Sequence, residues 1–352
     1  MRNKASVIPV DLSAGCSDYL RVDAFLETLP AVRILSTALK IGLIDAVGES
    51  SLTYGELRKR RYCPERSLEF LVSLLLNANV LEEADGGIAW SAEFRQAMRY
   101  RDLLESKVDF TLLIVKDFAQ LCTELLTDMP TFMSKSHLME IFDYGKCTQS
   151  TPANYADTAR WMRYTTALTR YETQACLEAY DFSSHHRVLD IGGNSGEFMR
   201  QMCVTHTKIA ATVADLPVVC DVGQSHVSST AQADQIQFQR GDAFTSPFAD
   251  GYDLITFKSM LHDWPDEKAR YLIAKACDHL PSGGSILVYE RSPIDFARTG
   301  LPCSLLPIAL FFSFYRNPDF YIDILHERGL TNIKIREFEL DTGFFVVTGT
   351  KA

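Results

Sequence analysis

The first hundred residues have the periodicity of helices. Apolar residues recur every three or four positions from Val22 to Val47, which predicts an amphipathic helix with one face turned toward a core. Thr53, followed three positions later by Glu56, has the signature of a capping box, and Pro64 opens a further helix. Residues 1 to 20 show neither helical nor strand periodicity, and we expect them to be flexible.

The pattern then changes to that of a hairpin. The strand-like runs 80–83 and 88–90 flank the turn Asp85-Gly86-Gly87, a combination that favours two short antiparallel strands. Helix, turn, helix and hairpin in this order are typical of a winged helix. We place this domain at residues 21–105 and, because helices dominate it, describe it as all-helical.

From residue 106 to 182 the chain is again helical, and after a polar linker at 183–186 strand-like and helical segments alternate. The strand-like segments are 187–191, 209–213, 236–240, 254–257, 286–289, 333–338 and 344–348. Most are separated by enough residues for a helix, which permits parallel pairing in an open α/β sheet. The last two are joined by a short turn and are expected to pair antiparallel. We therefore predict a Rossmann-like α/β domain at residues 183–352.

Composition narrows the functional class. The 352 residues include 35 Lys and Arg against 45 Asp and Glu, a formal charge of -10, so the overall field would repel nucleic acid and anionic lipid. The nine cysteines form no Cys-x-x-Cys pair, which disfavours zinc sites and a disulfide framework. No secretory signal is recognisable, and no apolar run approaches the roughly 20 residues that a bilayer requires. We expect a cytoplasmic protein without metal, membrane or nucleic-acid partners.

The winged-helix pattern keeps one alternative open, a DNA-binding regulator. The basic run Arg58-Lys59-Arg60-Arg61 could meet phosphates. A reader of base edges needs basic or amide side chains on its recognition helix. The helix that begins at Pro64 offers Arg66 and then mainly Leu, Val, Ser and Asn. Together with the acidic net charge, this favours a packing module over a DNA reader.

A glycine-rich turn follows the first strand of the α/β region. The segment Asp190-Ile191-Gly192-Gly193-Asn194-Ser195-Gly196 joins a strand to an apolar helix, the position where α/β sheets bind nucleotides. Its spacing matches neither the dinucleotide fingerprint nor the P-loop. A carboxylate precedes the glycines, and its charge suits a cationic ligand better than a pyrophosphate. Asn194 tolerates the left-handed backbone that the turn needs.

Two more acids follow the next two strands. Asp215, in Asp215-Leu216-Pro217, stands where a carboxylate accepts hydrogen bonds from ribose hydroxyls. Asp242, in Gly241-Asp242-Ala243-Phe244, could accept an adenine amino proton while Phe244 packs on the ring. Together with Asp190, these residues predict a ligand that contains a nucleoside.

These motifs, with His262-Asp263-Trp264 downstream, resemble those of the S-adenosylmethionine-dependent small-molecule O-methyltransferases, namely the caffeate, flavonoid and acetylserotonin type and their antibiotic-pathway relatives. The resemblance extends from about residue 22 to the C-terminus. It implies a class I methyltransferase domain with an antiparallel last strand, S-adenosylmethionine as cofactor and a small-molecule acceptor. It also implies that the winged helix is a dimerisation domain, and hence a homodimer.

The resemblance assigns site residues position by position. Cofactor contacts are expected from Asp190, Gly192, Gly193, Gly196, Asp215, Leu216, Asp242, Ala243, Phe244 and Lys258. His262, at the carboxyl end of the fourth strand, matches the general base that takes the proton of the acceptor hydroxyl. Glu290 matches an acid that orients this imidazole, and Asp263 belongs to the same catalytic group.

One position departs from the family pattern. Counted back without gaps from Gly329, the second orienting glutamate is replaced by Tyr315, a phenol that carries no charge at neutral pH. Some proteins resembling this family bind S-adenosylmethionine but do not transfer its methyl group. A hydroxylation, decarboxylation or cyclisation therefore stays an alternative, as does carbon or nitrogen methylation.

The acceptor pocket is expected to have apolar and aromatic walls. By resemblance, Trp161, Met162, Phe311 and Phe312 line it together with His262, and the helical segment 106–182 contributes to the lining. Such walls suit a planar aromatic or polyketide-like molecule. The sequence therefore predicts an O-methyltransferase that acts on a hydroxyl of such an acceptor.

Overall fold

The computed structural model of the chain describes residues 6–48 and 51–352. Two compact units share these residues. The sheet unit comprises the described residues up to Cys16, together with Glu140–Thr299 and Phe311–Ala352. The N-terminal unit comprises the described residues between Ser17 and Met139, together with Gly300–Leu310.

The start of the chain has more regular structure than its sequence predicts. Strand β1 (Ser6–Pro9) is followed by a 3₁₀ helix, Ala14–Phe25. Regular structure thus covers most of the described part of the segment expected to be flexible; the flexibility itself stays a prediction, and residues 1–5 lie outside the described residues. The strand escaped recognition because four residues that end in proline have no visible alternation.

The N-terminal unit combines short helices with one hairpin. Its elements are α1 (Leu29–Lys40), α2 (Leu43–Val47), α3 (Tyr54–Lys59), α4 (Glu65–Asn77), β2 (Leu81–Ala84), β3 (Gly87–Trp90), α5 (Ala92–Ala97), a 3₁₀ turn (Met98–Tyr100), α6 (Arg101–Thr127) and α7 (Met129–Lys135). The capping box of Thr53 and Glu56 at the start of α3 is confirmed. The hairpin is also confirmed, so the description of this region as all-helical is wrong. Asp85 and Gly86 allow its tight turn because both adopt positive φ.

Helix α8 (His137–Ile141) leads into the sheet unit. There follow a 3₁₀ helix (Tyr144–Thr148), α9 (Pro152–Ala179), β4 (Arg187–Ile191), α10 (Glu197–Thr205), β5 (Ala210–Asp215), α11 (Pro217–Val227), a 3₁₀ turn (Ala233–Gln235), β6 (Ile236–Arg240), β7 (Leu254–Lys258), a 3₁₀ turn (Leu261–Asp263), α12 (Asp266–His279), β8 (Ser285–Arg291) and α13 (Phe296–Thr299). A 3₁₀ turn (Cys303–Leu305) and α14 (Leu306–Ala309) belong to the N-terminal unit, and α15 (Pro318–Glu327), β9 (Leu330–Glu339) and β10 (Gly343–Lys351) complete the chain. No helix within the described residues is both long and apolar enough to span a bilayer.

All seven strands predicted for the α/β region are confirmed, in one eight-stranded sheet of order β1-β9-β10-β8-β7-β4-β5-β6. The strands from β8 to β6 pair in parallel. Strand β10 is antiparallel to both of its neighbours, as the short turn before it predicts. Strand β1 adds an unpredicted parallel partner to β9 at the edge.

The division into units differs from the predicted domain boundaries. The boundary expected after residue 105 falls inside α6, and the boundary expected after residue 182 falls inside the sheet unit. The physical reason for the second difference is that α9 packs on α10 and α11, both of which flank the sheet. The aromatic helical segment from residue 140 onward therefore belongs with the strands.

A buried network of charges ties α9 to the sheet. The Glu172 carboxylate of α9 accepts hydrogen bonds from Lys258 Nζ at 2.6 Å and from Arg291 at 2.5 Å. Arg291 also donates to Asp341, in the turn between β9 and β10, at 2.5 Å. None of the four side chains is more than 8% exposed. One helix, two strands and a turn are thus joined by charges that water does not screen.

We expect Glu172→Ala to lower the free energy of unfolding by about 3–5 kcal/mol, because it leaves two buried cations without their shared partner. The midpoint of urea unfolding measures this loss. Arg298→Ala is the matched control, since it breaks an ion pair with Glu339 whose side chains are 56% and 60% exposed, and it should leave the midpoint nearly unchanged. Equal small shifts in both variants would contradict the role given to the network.

Candidate active site

The glycine-rich turn after β4 has the backbone that its sequence predicts. Gly192, Asn194 and Gly196 all adopt positive φ, of 68°, 56° and 73°, so the expectation that Asn194 preserves the turn is confirmed. A Cβ on Gly193 would lie 2.5 Å from Asp190 Oδ2. Glycine is therefore required at this position by close packing against the carboxylate below it.

Two carboxyl groups next to this turn, those of Asp190 and Asp215, have raised pKa values. Asp190 is fully buried; its Oδ1 accepts from the Thr256 hydroxyl at 2.7 Å, while its Oδ2 has no hydrogen-bond partner among the described residues. Burial raises the pKa of Asp190 to about 7. Asp215 accepts from the backbone N–H groups of Asn194 and Leu216 at 2.8 and 2.7 Å, yet burial raises its pKa to about 6. Both acids would gain from a ligand that brings donors or positive charge.

The third acid lies at the next strand of the sheet. Asp242 is exposed just after β6, and its Oδ1 accepts from the Phe244 N–H at 2.8 Å across Ala243. The Phe244 ring meets the Trp264 ring edge to face, with centroids 4.8 Å apart. Because β4, β5 and β6 are neighbours, the three predicted acids stand in a row at the carboxyl edge.

Lys258 is at the end of β7, but its ammonium group points into the buried network. It donates to Glu172 at 2.6 Å and to the Thr169 hydroxyl at 3.1 Å, both on α9. The cofactor contact expected of Lys258 stays a prediction. No sequence pattern predicted either of these partners on α9.

His262 is fixed by Glu290 on the neighbouring strand. The two side chains meet through Nδ1 and Oε2 at 2.6 Å, and Glu290 Oε1 accepts from the backbone N–H groups of Met260 and Leu261 at 3.0 and 2.8 Å. Ser259 enters this turn with a positive φ of 51°. Since an ionised carboxylate only accepts hydrogen bonds, Nδ1 carries a proton and a neutral His262 has its lone pair at Nε2.

Asp263 stands on the opposite edge of the imidazole. Its Oδ1 lies 3.4 Å from His262 Nε2, and its Oδ2 accepts from the Tyr144 hydroxyl at 2.8 Å. Burial lowers the pKa of His262, but the charges of Glu290 and Asp263 outweigh it, so the pKa is raised above its ordinary value. Burial also raises the pKa of Asp263, against the opposing effects of His262 and Tyr144.

Tyr315 lies beside His262, the histidine that it was expected to accompany. Its ring centroid is 5.1 Å from that of His262, and burial raises the pKa of the phenol, which is therefore neutral. The adjacent Arg316, which sequence reasoning missed, donates to Asp266 at 2.6 Å, to Leu261 O at 2.9 Å and to Trp264 O. Arg316 thus holds the backbone on both sides of His262.

Aromatic rings form a connected group beside His262. Phe142 contacts Trp161 and Phe311, at centroid distances of 5.2 and 6.2 Å, and Phe311 reaches the His262 ring at 6.4 Å. Tyr144 joins the group through Trp161 at 6.1 Å. Of the predicted lining residues, Met162 is buried behind Trp161, and Phe312 is half-buried without a contact to these rings among the described residues. Phe142 and Tyr144 were not predicted as lining residues, because aromatic residues in helical segments usually belong to the hydrophobic core.

A mostly parallel sheet with a glycine turn, a row of acids and a His–Glu pair at its carboxyl edge defines a nucleoside-binding α/β enzyme. The sequence model of the O-methyltransferase domain matches residues 118–305, more than half of the chain. The chain belongs to this O-methyltransferase family. Recognition of the family from the sequence motifs is thereby confirmed.

Individual relatives agree with this family. The chain is 26% identical over 330 residues to 3-hydroxy-5-methyl-1-naphthoate 3-O-methyltransferase of Streptomyces sahachiroi, covering 90% of this chain and 91% of that protein. The mitomycin 7-O-methyltransferase MmcR shares the fold with a TM-score of 0.68 at 21% identity, covering 91% and 94% of the two chains. Human N-acetylserotonin methyltransferase in complex with SAM gives 0.69 at 19%, covering 92% and 94%. The fold is that of the class I methyltransferases.

We expect Asp190 to make the ligand-free protein less stable as the pH rises. Its folded pKa of about 7 exceeds the unfolded value of about 3.9, so the native state holds an extra proton between these values. Stability present at pH 4 is therefore lost toward pH 7, by up to roughly 4 kcal/mol. Urea midpoints at pH 5 and pH 8 should differ more for the wild type than for Asp190→Asn.

Asp234→Asn is the control for this comparison, because Asp234 is exposed and its loss should keep the wild-type difference between the two pH values. An identical pH difference in Asp190→Asn and the wild type would show that the buried carboxyl does not hold the proton assigned to it.

Proposed function

We propose that this methyltransferase transfers a methyl group from S-adenosylmethionine to a hydroxyl of an aromatic or polyketide-like small molecule, with His262 as the general base. The observation that carries the proposal is the His262–Glu290 pair, 2.6 Å apart, at the same sheet edge as the glycine turn and the acids. A base that is oriented by a carboxylate and placed beside a nucleoside site suits proton removal from an acceptor.

The residues at the glycine turn fit the cofactor. Asp190 Oδ2 is buried and has no hydrogen-bond partner in the part of the chain that the structure describes, and the turn approaches it so closely that Gly193 admits no Cβ. The turn would hold the methionine part through Asp190, Gly192, Gly193 and Gly196; Asp215 and Leu216 would take the ribose, and Asp242, Ala243 and Phe244 the adenine. When bound, the cofactor supplies an electrophilic methyl group.

His262 prepares the acceptor by taking its proton. With Nδ1–H held by Glu290, Nε2 accepts the proton of the hydroxyl, and the resulting imidazolium lies between Glu290 and Asp263. The Glu290 carboxylate keeps its position when His262 takes the proton, because two backbone N–H groups hold its other oxygen. Since the pKa of His262 is raised, the rate should increase as the pH rises through that pKa and the base becomes neutral.

Support for an aromatic acceptor comes from the ring group of Phe142, Tyr144, Trp161 and Phe311. These rings offer flat apolar surfaces next to the base. The relative from Streptomyces sahachiroi is named for a hydroxylated naphthoate, which is consistent with a fused-ring acceptor.

We also propose that the protein forms a homodimer through its N-terminal unit. In the single chain the N-terminal unit exposes Phe70 on α4 and Leu126 on α6, at 67% and 66%. A second copy that covered these side chains would remove apolar surface from water. The cytoplasmic location likewise stays a prediction.

We expect His262→Ala to lower kcat by about 100- to 10,000-fold, the usual contribution of a general base. The measurement follows methyl-labelled S-adenosylmethionine into a panel of hydroxylated aromatic and polyketide acceptors. His326→Ala is the matched control, because His326 is an exposed residue of α15, and it should turn over like the wild type.

Two results of this assay would argue against the proposal. An unaffected rate in His262→Ala would remove the histidine as base. Label that stays on the cofactor while the acceptor is otherwise transformed would favour the non-methylating alternative, which the uncharged Tyr315 beside His262 keeps open.

A further inference from the structure

One face of α12 holds the loop that follows β6, here called the 242–248 loop. Lys268, Tyr271 and Lys275 are separated by three and four positions, so their side chains share this face of the helix. All three contact the 242–248 loop, through hydrogen bonds or through its aromatic rings. The helix therefore supports the loop that is expected to bind adenine.

Lys275 makes the strongest of these contacts. Its Nζ donates to the carbonyl oxygens of Ala243 and Ser246 at 2.7 and 2.6 Å, and it lies 4.2 Å from the centroid of the Phe248 ring. Hydrogen bonds from an ammonium group are stronger than those between neutral groups. Burial lowers the pKa of Lys275, while the charge of Asp242 acts in the opposite direction. The two carbonyl groups thus replace water that a lysine on a helix surface would otherwise keep.

The backbone groups of the loop are divided between two sets of partners. Asp242 accepts from the N–H groups, because its Oδ1 bonds to Phe244 N–H at 2.8 Å and its carbonyl oxygen bonds to those of Thr245 and Ser246 at 3.1 and 2.8 Å. The carbonyl groups bond to α12 instead, where the Tyr271 hydroxyl donates to Phe244 O at 3.2 Å. These contacts involve only the protein, so the loop has its shape before a ligand binds.

The ring of Phe244 is held by the same face of α12. Lys268 Nζ lies 5.2 Å from the centroid of this ring and 5.0 Å from that of Trp264. The Tyr271 ring is nearly parallel to the Phe244 ring, with centroids 6.3 Å apart. An ammonium group is attracted to the faces of aromatic rings. The helix thus orients the Phe244 ring as well as the backbone that carries it.

On the basis of the cofactor contacts proposed above, we propose that Lys275, supported by Tyr271, is a positioning residue that makes the nucleoside site selective for adenine. By holding the carbonyl groups of the loop, it keeps Asp242 and Phe244 in place for the base. Asp242 Oδ1 is used by the loop itself, whereas its Oδ2 has no hydrogen-bond partner among the described residues. This second oxygen is available to an exocyclic amino group.

A fixed carboxylate distinguishes adenine from its deaminated form. Hypoxanthine has a carbonyl oxygen where adenine has the amino group, so it would bring an acceptor toward Asp242, which is itself an acceptor. A site built to receive a donor discriminates against a ligand that lacks it. A loop that could move would avoid this conflict, and ordering it around adenine would cost conformational entropy. Loss of the Lys275 contacts should therefore lower selectivity and not only affinity.

The test compares the binding of S-adenosylhomocysteine with that of S-inosylhomocysteine, its deaminated analogue, by calorimetry. We expect the wild type to favour the adenosyl ligand at least about tenfold in Kd, the scale of one hydrogen bond to a charged group. Lys275→Met, which keeps the length of the side chain, should lower this ratio about fivefold, the scale of one weakened hydrogen bond. Lys275→Arg keeps the charge and should restore most of the ratio. Tyr271→Phe, at a position that is 50% exposed, should lower it less.

Hydrogen exchange checks the shape of the loop in the ligand-free protein. The N–H groups of Thr245 and Ser246 should exchange faster in Lys275→Met than in the wild type, because the loop that places them on Asp242 is less restrained. Lys208→Met is the matched control for both measurements. Lys208 is an exposed residue between α10 and β5, and its replacement should change neither the exchange nor the ratio.

Binding separates this inference from the proposed function, because neither ligand carries a methyl group to transfer. A ratio that falls in Lys275→Met and recovers in Lys275→Arg supports the positioning role even if no methyl transfer is found, a result that would refute only the proposed function. Equal affinity of the wild type for both ligands, or equal losses for both in Lys275→Met, would overturn the role. So would a ratio and an exchange rate that Lys275→Met leaves unchanged.

Discussion

The Glu290 carboxylate is the contact on which the geometry of the site depends. It is 1% exposed, and it uses one oxygen for the N–H groups of Met260 and Leu261 and the other for His262. A buried carboxylate needs such donors. The turn after β7 provides them with Ser259 at a positive φ, a strained conformation that persists where the surroundings determine it. An acid on one strand thus shapes the turn on the next.

That turn also determines the spacing between His262 and the glycine turn. A Cβ on Gly192 would lie 2.7 Å from the Met260 methyl carbon, so the residue that donates to Glu290 also packs over the turn after β4. Strands β4 and β7 pair directly, which holds the two turns in register. Transfer between two bound molecules depends on such placement, and here it follows from one strand pair and one close contact.

Local pattern explains which parts of the structure were predictable. Strands β4 and β6 were predicted at their observed bounds because short strand-like segments between helical ones have a clear signature in an α/β region. The positions of His262 just after β7 and of Glu290 near the end of β8 could be read from the sequence because a strand end is a local feature, whereas their roles stay predictions. The bond from Tyr144 to Asp263 spans 119 residues, and the bond from Lys258 to Glu172 spans 86. No spacing along the chain encodes such partners, since they meet only when α9 and its preceding turn pack on the sheet.

The buried acids near the carboxyl edge of the sheet differ in whether they have cationic partners. Glu172 has its neighbours Lys258 and Arg291 as full partners, and the elements that carry these groups are joined as a result. Among the described residues, Asp190 has one oxygen without a hydrogen-bond partner and Asp215 has only backbone donors, and burial raises the pKa of both. A ligand with positive charge and hydroxyl groups that bound here would restore the free energy that the ligand-free protein loses at these two acids.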